Sequence, residues 1–80
     1  MMIQYTPKGV CARQFQLEVE DGVVKSVNIV GGCHGNLHGI ARLIEGMKVE
    51  DVIARVEGIR CGMKSTSCPD QIAQALKKAL

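Results

Sequence analysis

The stretch from Cys11 to Val30 constrains the fold more than any other. Phe15, Leu17 and Val19 fall on one parity and Gln14, Gln16, Glu18 and Glu20 on the other, the period-two pattern of a strand with one buried face. Asp21-Gly22 then reads as a turn and Val23 to Val30 as the returning strand. Met2 to Tyr5 reads as a shorter strand, stopped by Thr6-Pro7-Lys8-Gly9, whose Pro and Gly suit a tight turn.

The register of this hairpin decides which residues meet at its far end. A two-residue loop at Asp21-Gly22 sets Phe15 against Asn28 and turns Ser26 and Asn28 toward the core. A three-residue loop with Gly22 in the left-handed region instead pairs Val19 with Val23, Phe15 with Val27 and Arg13 with Ile29, with Lys25 as the one misfit. That second register is the expected one. It carries Cys11 opposite Gly31 and gives Cys11 and Cys33 the parity of the core face, so that two distant cysteines share one end of the sheet. Parity also aims Arg13 at that corner.

Helical spacing takes over after the hairpin. Leu37, Ile40, Ala41 and Ile44 recur at one-turn intervals, with Asn36 as N-cap and Gly46 as stop. Val49, Val52, Ile53 and Val56 repeat the pattern up to Gly58. An irregular stretch, Ile59 to Thr66, separates this second helix from a third. Ser67 with Asp70 three residues on resembles a capping box, and Pro69 is tolerated in a first turn. The third helix therefore starts at Cys68, with Ile72, Leu76, Ala79 and Leu80 as its apolar stripe and Lys77 and Lys78 at the negative end of its dipole. The fold class is α+β: a three-stranded antiparallel meander followed by three helices packed on one face, in a single domain spanning residues 1–80.

Composition limits what such a domain can do. A chain of 80 residues whose aromatics are only Tyr5 and Phe15 has a thin core, to which a bound metal or a homodimer would lend support. The net charge of +2 comes from interspersed residues. With no basic run and no aromatic stacking platform, nucleic acid is not an expected partner. Nothing in Met1 to Val10 reads as a targeting signal and no stretch approaches membrane-spanning length, so a cytoplasmic protein with no membrane partner is expected. Four cysteines in a reducing compartment are metal ligands, redox thiols or small buried hydrophobes rather than structural disulfides.

The candidate site is Gly31-Gly32-Cys33-His34-Gly35-Asn36, where a strand gives way to a helix and three glycines leave the backbone open to a ligand. Thiolates are soft ligands for zinc or an iron-sulfur cluster, and four of them, or three with a histidine, complete a tetrahedral shell. Cys61 is a fourth ligand, a redox partner for Cys68 or a plain loop residue. His34 ligates, hydrogen-bonds a ligand or is an exposed loop residue, whereas His38 belongs to the solvent face. Arg13 either faces an anion or thiolate or snorkels from the sheet end. Met47 and Met63 are read as packing residues. No Ser-His-Asp or Cys-His-Asp constellation is present, and the glycine stretch lacks the Gly-Lys-Ser/Thr ending of a phosphate loop.

The order of elements resembles iron-sulfur cluster scaffolds of the NifU amino-terminal type. The resemblance rests on a Gly-x-Cys entry, the hairpin, the Gly32-Cys33-His34-Gly35 junction, a Gly-Met-Lys joint and a late cysteine opening the last helix. It implies Cys11, Cys33 and Cys68 as ligands. Arg13 and Ser67 depart from it, standing where those scaffolds carry an aspartate and a histidine. Locally, Arg60-Cys61-Gly62-Met63-Lys64-Ser65-Thr66-Ser67-Cys68-Pro69-Asp70 is similar to the TSCPD domain, named for the residues seen here as Thr66 to Asp70, and Gly31 to Asn36 fits the same family. Its members are small stand-alone proteins and carboxyl-terminal appendages of ribonucleotide reductases. The resemblance implies a ribonucleotide reductase, or a donor of clusters or thiols, as partner, and any catalysis only as a component of such a reductase. Three roles follow: a metal-binding accessory or carrier, a thiol-redox or regulatory accessory in which Cys61 and Cys68 cycle between dithiol and disulfide, and a non-catalytic interaction domain.

Overall fold

The structure, a computed structural model, describes residues 1–10, 12–32, 34–60 and 62–79. Three strands, β1 (Met2–Tyr5), β2 (Ala12–Glu20) and β3 (Val23–Gly31), form an antiparallel sheet in the order β1-β2-β3. Three helices follow: α1 (His34–Ile44), α2 (Val49–Val56) and α3 (Cys68–Leu76), the last continued by a 3-10 turn at Lys77–Ala79. This is the α+β arrangement expected from the sequence.

The hairpin differs from its expected register, for a physical reason. Asp21 and Gly22 both have positive φ, 54° and 73°, the two-residue turn whose twist matches that of the flanking strands. Glu20 pairs with Val23 and Val19 with Val24. Lys25 then has no partner of its own, because Glu18 pairs with Ser26, and beyond it Leu17 meets Val27 and Phe15 meets Ile29. A β-bulge at Lys25 thus shifts the returning strand by one residue, which turns Ser26 and Asn28 to solvent despite the two-residue loop. The three-residue loop is not needed, and the residue that fitted it badly is the bulge.

A second bulge changes the other end. Gln14 pairs with Val30 and Ala12 with Gly31, leaving Arg13 unpaired. Ala12 rather than Cys11 therefore stands opposite Gly31, and Ala12 takes the buried side while Arg13 is exposed. Cys11 itself lies outside the described residues.

The core is gathered on one face of the sheet. Phe15, Leu17 and Val24 are fully buried with Ile72 and Leu76 of α3 and with Val49 and Val52 of α2. Tyr5, paired with Phe15 across the strands, stacks on its ring at 6.4 Å between centroids and 15° between planes. Helix α3 lies deepest, with Ile72, Ala73, Ala75 and Leu76 all buried, and it packs on β1, β2 and α2 while α1 packs on β3. Lys77 pairs with Glu57, and the ammonium of Lys78 sits 5.1 Å from the centre of the Tyr5 ring. Leu80, assigned to the α3 stripe from the sequence, lies outside the described residues.

Helix α1 begins at His34, so Asn36 falls inside its first turn instead of capping it. Gly31 and Gly32, both left-handed at φ 82° and 74°, complete the exit from β3 early enough for the helix to start there. Gly46 ends α1 as expected, and its N–H donates to the Val24 carbonyl at 2.7 Å. The Val24 N–H in turn donates to the Met47 carbonyl at 2.9 Å. This connection to α2 thereby covers the start of the β3 edge, which is otherwise open to pairing with another chain.

At Gly32 the strand exit and the following helix lie close together. A Cβ there would lie 2.6 Å from Cδ1 of Leu37 and 3.1 Å from the backbone nitrogen of Ala12, whereas a Cβ at Gly22 would meet nothing. Gly22→Ala is expected to cost about 1 kcal/mol for the left-handed backbone alone. Gly32→Ala should cost upward of about 2 kcal/mol, because the clash adds to the same conformational term. Urea midpoints of the two variants check this, and equal losses would show that the Gly32 contact is slack.

Candidate functional site

The amino terminus of α3 is built almost wholly from hydrogen bonds. Ser67 is extended at φ −150° and ψ 170°, and its Oγ accepts from the Asp70 N–H at 3.2 Å, the first half of the expected capping box. The same hydroxyl donates to the Ile59 carbonyl at 2.6 Å. Asp70 does not reach back to the cap. Its Oδ1 accepts from the Gly58 N–H at 2.7 Å, and its Oδ2 accepts from the Thr66 hydroxyl. The Asp70 carboxylate therefore fastens the end of α2 to the start of α3.

Gln71 extends the network to the sheet. Its Nε2 donates to Thr66 Oγ1 at 2.9 Å, and its Oε1 accepts from the Tyr5 hydroxyl and the Lys8 N–H, each at 3.2 Å. Ser67, Asp70 and Gln71 are buried, and each is satisfied by these bonds, as burial of polar groups requires. The sequence reading found Ser67 and Asp70 as a cap. It missed Gln71, whose contacts with Tyr5 and Lys8 cross most of the chain and leave no local signal.

Cys68 occupies the first position of α3, half-buried, and packs against the core. The polar side chains around it are occupied with one another. Thr66, Ser67 and Asp70 hold the backbone on either side of Cys68, whose thiol is free.

Two close approaches border the cysteine positions. Gly32 touches Ala12, and Gly9, left-handed at φ 73°, is placed so that a Cβ would meet Thr66 Cγ2 at 3.6 Å. Of the cysteines, Cys11, Cys33 and Cys61 lie outside the described residues, as does the side chain of His34. Among the described residues no three His, Cys, Asp or Glu side chains gather as a metal set.

Of the accessory residues, some stand where the sequence placed them and Met63 does not. Arg13 faces outward because it is the bulge residue, and its Cγ and Nε lie 3.2 and 3.1 Å from where a Gly31 Cβ would be. Its stem thus lies across Gly31 at the sheet end rather than in the core, which is the snorkelling alternative. His38 is exposed, as its helical position suggested. Met47 packs against the core, but Met63 is fully exposed. Met63 stands in the turn between Gly62 and Ser65, whose residues are all exposed, so no apolar neighbour covers it.

Asp70 gives the network a pH signature. The Thr66 hydroxyl, then the Gly58 N–H, hold its carboxyl below the ordinary value of 3.8, with Gln74 adding to them and burial opposing them. A carboxylate with a lowered folded pKa contributes stability above its unfolded pKa and loses it as pH falls through the folded one. Urea midpoints should accordingly drop as the pH is taken below 3.8. Asp70→Asn should be less stable at neutral pH and show a shallower acid decline, and parallel acid limbs in the two proteins would argue against the clamp.

No helix among the described residues is long and apolar enough to cross a membrane. No curated protein and no solved structure matches the chain, so the likeness to NifU-type scaffolds gains no support from these comparisons. The family model of the TSCPD domain matches residues 1–80. The motif that names this family, Thr66-Ser67-Cys68-Pro69-Asp70, is the one that builds the α3 terminus, and the chain belongs to the TSCPD domain family over its whole length.

Proposed function

We propose that this chain is a small accessory or carrier module that binds zinc or an iron-sulfur cluster through Cys11, Cys33 and Cys68, with Cys61 or His34 completing the shell. The observation that supports this reading is a pair of close approaches between described segments that border those cysteines in the sequence: Ala12 lies against Gly32, and Gly9 against Thr66, two residues before Cys68. The donor chemistry fits, since thiolates suit zinc and iron, and the flanking glycines leave room for close approach. Bound there, a metal would cross-link the sheet end to the start of α3, adding to a small core the support it needs. TSCPD domains also occur as appendages of ribonucleotide reductases, and a cytoplasmic reductase, or a protein that donates clusters or thiols, is the partner proposed here.

A second reading, thiol-redox service to such a reductase, is favoured by the segment carrying Cys61. That segment is tied to the cap of α3 through Ile59 and Ser67 and through Gly58 and Asp70. Gly58 and Ile59 are thus held beside the start of α3, and Cys61 follows them by two residues in the sequence, which suits a dithiol-disulfide exchange between Cys61 and Cys68.

Metal and acid-labile sulfide content, measured on protein purified without oxygen, tests the first reading. About one metal centre per chain is expected in the wild type, with loss in Cys33→Ser and in Cys68→Ser. Sulfide marks a cluster and its absence zinc, while a metal-free wild type overturns the reading. For the second, mass analysis after mild oxidation should find a Cys61–Cys68 disulfide, and two unpaired thiols under those conditions would exclude it.

A further inference from the structure

The segment that joins α2 to α3 is pinned at both ends and bare between them. Asp70 accepts from the Gly58 N–H at 2.7 Å, the Ser67 hydroxyl donates to the Ile59 carbonyl at 2.6 Å, and Thr66 is bonded to both Asp70 and Gln71. Between those points every described residue, 60 and 62–65, is exposed. Met63 is wholly uncovered and Ile59 is 44% exposed, so two apolar side chains stand in solvent on one short stretch. Arg60 and Lys64 each follow one of them, and among the described residues neither cation has an ion-pair partner.

The exposed charges of this segment are of one sign. No Asp or Glu occurs in residues 1–17 or 58–69. Lys8, also exposed, brings a third cation to the foot of the segment, since its N–H donates to Gln71 and its neighbour Gly9 lies against Thr66. Asp70 is buried and already engaged, and Glu57 is paired with Lys77. The exposed acids Glu45 and Glu50 adjoin Gly46 and Val49, whose N–H groups donate to Val24 and Gly22, beside the hairpin turn that carries Glu20 and Asp21. That turn is at the opposite end of the sheet from Ala12 and Gly31.

We propose that this segment, with Lys8, is the docking surface for a protein partner that presents an acidic stretch carrying an apolar side chain. Cations without carboxylates among them steer such a partner and select its charge. Met63 and Ile59 supply apolar contact, and the pinned ends reduce the backbone freedom that binding would remove. Nucleic acid fits less well. Phosphates offer nothing to Met63 and Ile59, and Tyr5, which shares Gln71 with Lys8, has its ring stacked on Phe15 and its hydroxyl on Gln71. The inference rests on the accessory reading only in that an accessory has a partner, and it holds with or without a bound metal.

Anisotropy of a fluorescent dodecapeptide repeating Glu-Glu-Leu, titrated with the reduced, chelator-treated full chain near physiological salt, tests it. Saturable binding is expected, weakened about tenfold by Arg60→Glu combined with Lys64→Glu and about fivefold by Met63→Ser. Lys25→Glu combined with Lys48→Glu changes the net charge equally at the hairpin end and should bind as the wild type does. A peptide with serine in place of leucine should lose the dependence on Met63 and keep the dependence on charge. All of these positions are exposed, so urea midpoints should stay close to that of the wild type. No saturable binding, an equal loss in the Lys25 and Lys48 variant, or a Met63→Ser chain that binds as well as the wild type would overturn the proposal. Equally tight binding of an oligothymidylate of the same charge would overturn it in favour of nucleic acid, and self-association abolished by the Arg60 and Lys64 reversal would do so in favour of a second copy. Because the titrated protein is metal-free, a wild type that purifies without metal sinks the carrier reading and leaves this result standing. A chain that binds metal but no acidic peptide does the reverse.

Discussion

The buried carboxylate of Asp70 is the constraint around which the helical half of this domain is arranged. It lies within the protein, where an unpaired charge is costly, and is held there by the Thr66 hydroxyl, the Gly58 N–H and Gln74. Because those donors come from the end of α2, from the residue before the cap and from α3 itself, satisfying one carboxylate fixes three pieces of backbone. Ser67 repeats the pattern on a smaller scale, accepting from Asp70 and donating to Ile59. Gln71 carries the same network across to Tyr5 and Lys8. The last helix is thus anchored to the previous helix and to the first strand by side chains within six consecutive residues, Thr66 to Gln71, of which Cys68 and Pro69 take no part.

This anchoring explains how a family motif can be mostly architectural and still bear on chemistry. Among the residues in its name, Thr66, Ser67 and Asp70 supply the hydrogen bonds that a largely buried helix terminus needs. Their effect is to set the first turn of α3 at a defined place beside the sheet end, with Cys68 on it. At the sheet end the same economy is seen in Gly31 and Gly32, whose left-handed conformations let the chain leave β3 and start α1 while pressed against Ala12 and Leu37. Two tight joints, one held by hydrogen bonds and one by the absence of side chains, thus fix where α3 and α1 begin.

Much of the fold was legible in the sequence because its signals are local. Alternation gave β2, turn residues gave the break at Asp21-Gly22, and the spacing of Leu37, Ile40, Ala41 and Ile44 gave α1. The cap at Ser67 was legible for the same reason, since its partner is three residues away. The bulges were not. A bulge leaves strand composition untouched and shows itself only as a parity that fits badly, as Lys25 did. At Arg13 even that hint misled, because an arginine in a row of apolar parity looks like a functional residue turned inward when the strand has in fact slipped by one.

The sequence by itself determined the kinds and order of the elements, the membership in the TSCPD domain family, and which residues have the chemistry to bind a metal or exchange electrons. These follow from periodicity, capping and motif, all read over a few neighbouring residues. Only the tertiary structure decided the register of the hairpin, the outward turn of Arg13, the partners of Asp70 and Gln71, and the exposure of Met63. Each of those depends on groups far apart in the chain competing for the same buried space or the same hydrogen bond, and that competition is settled only when the chain is packed.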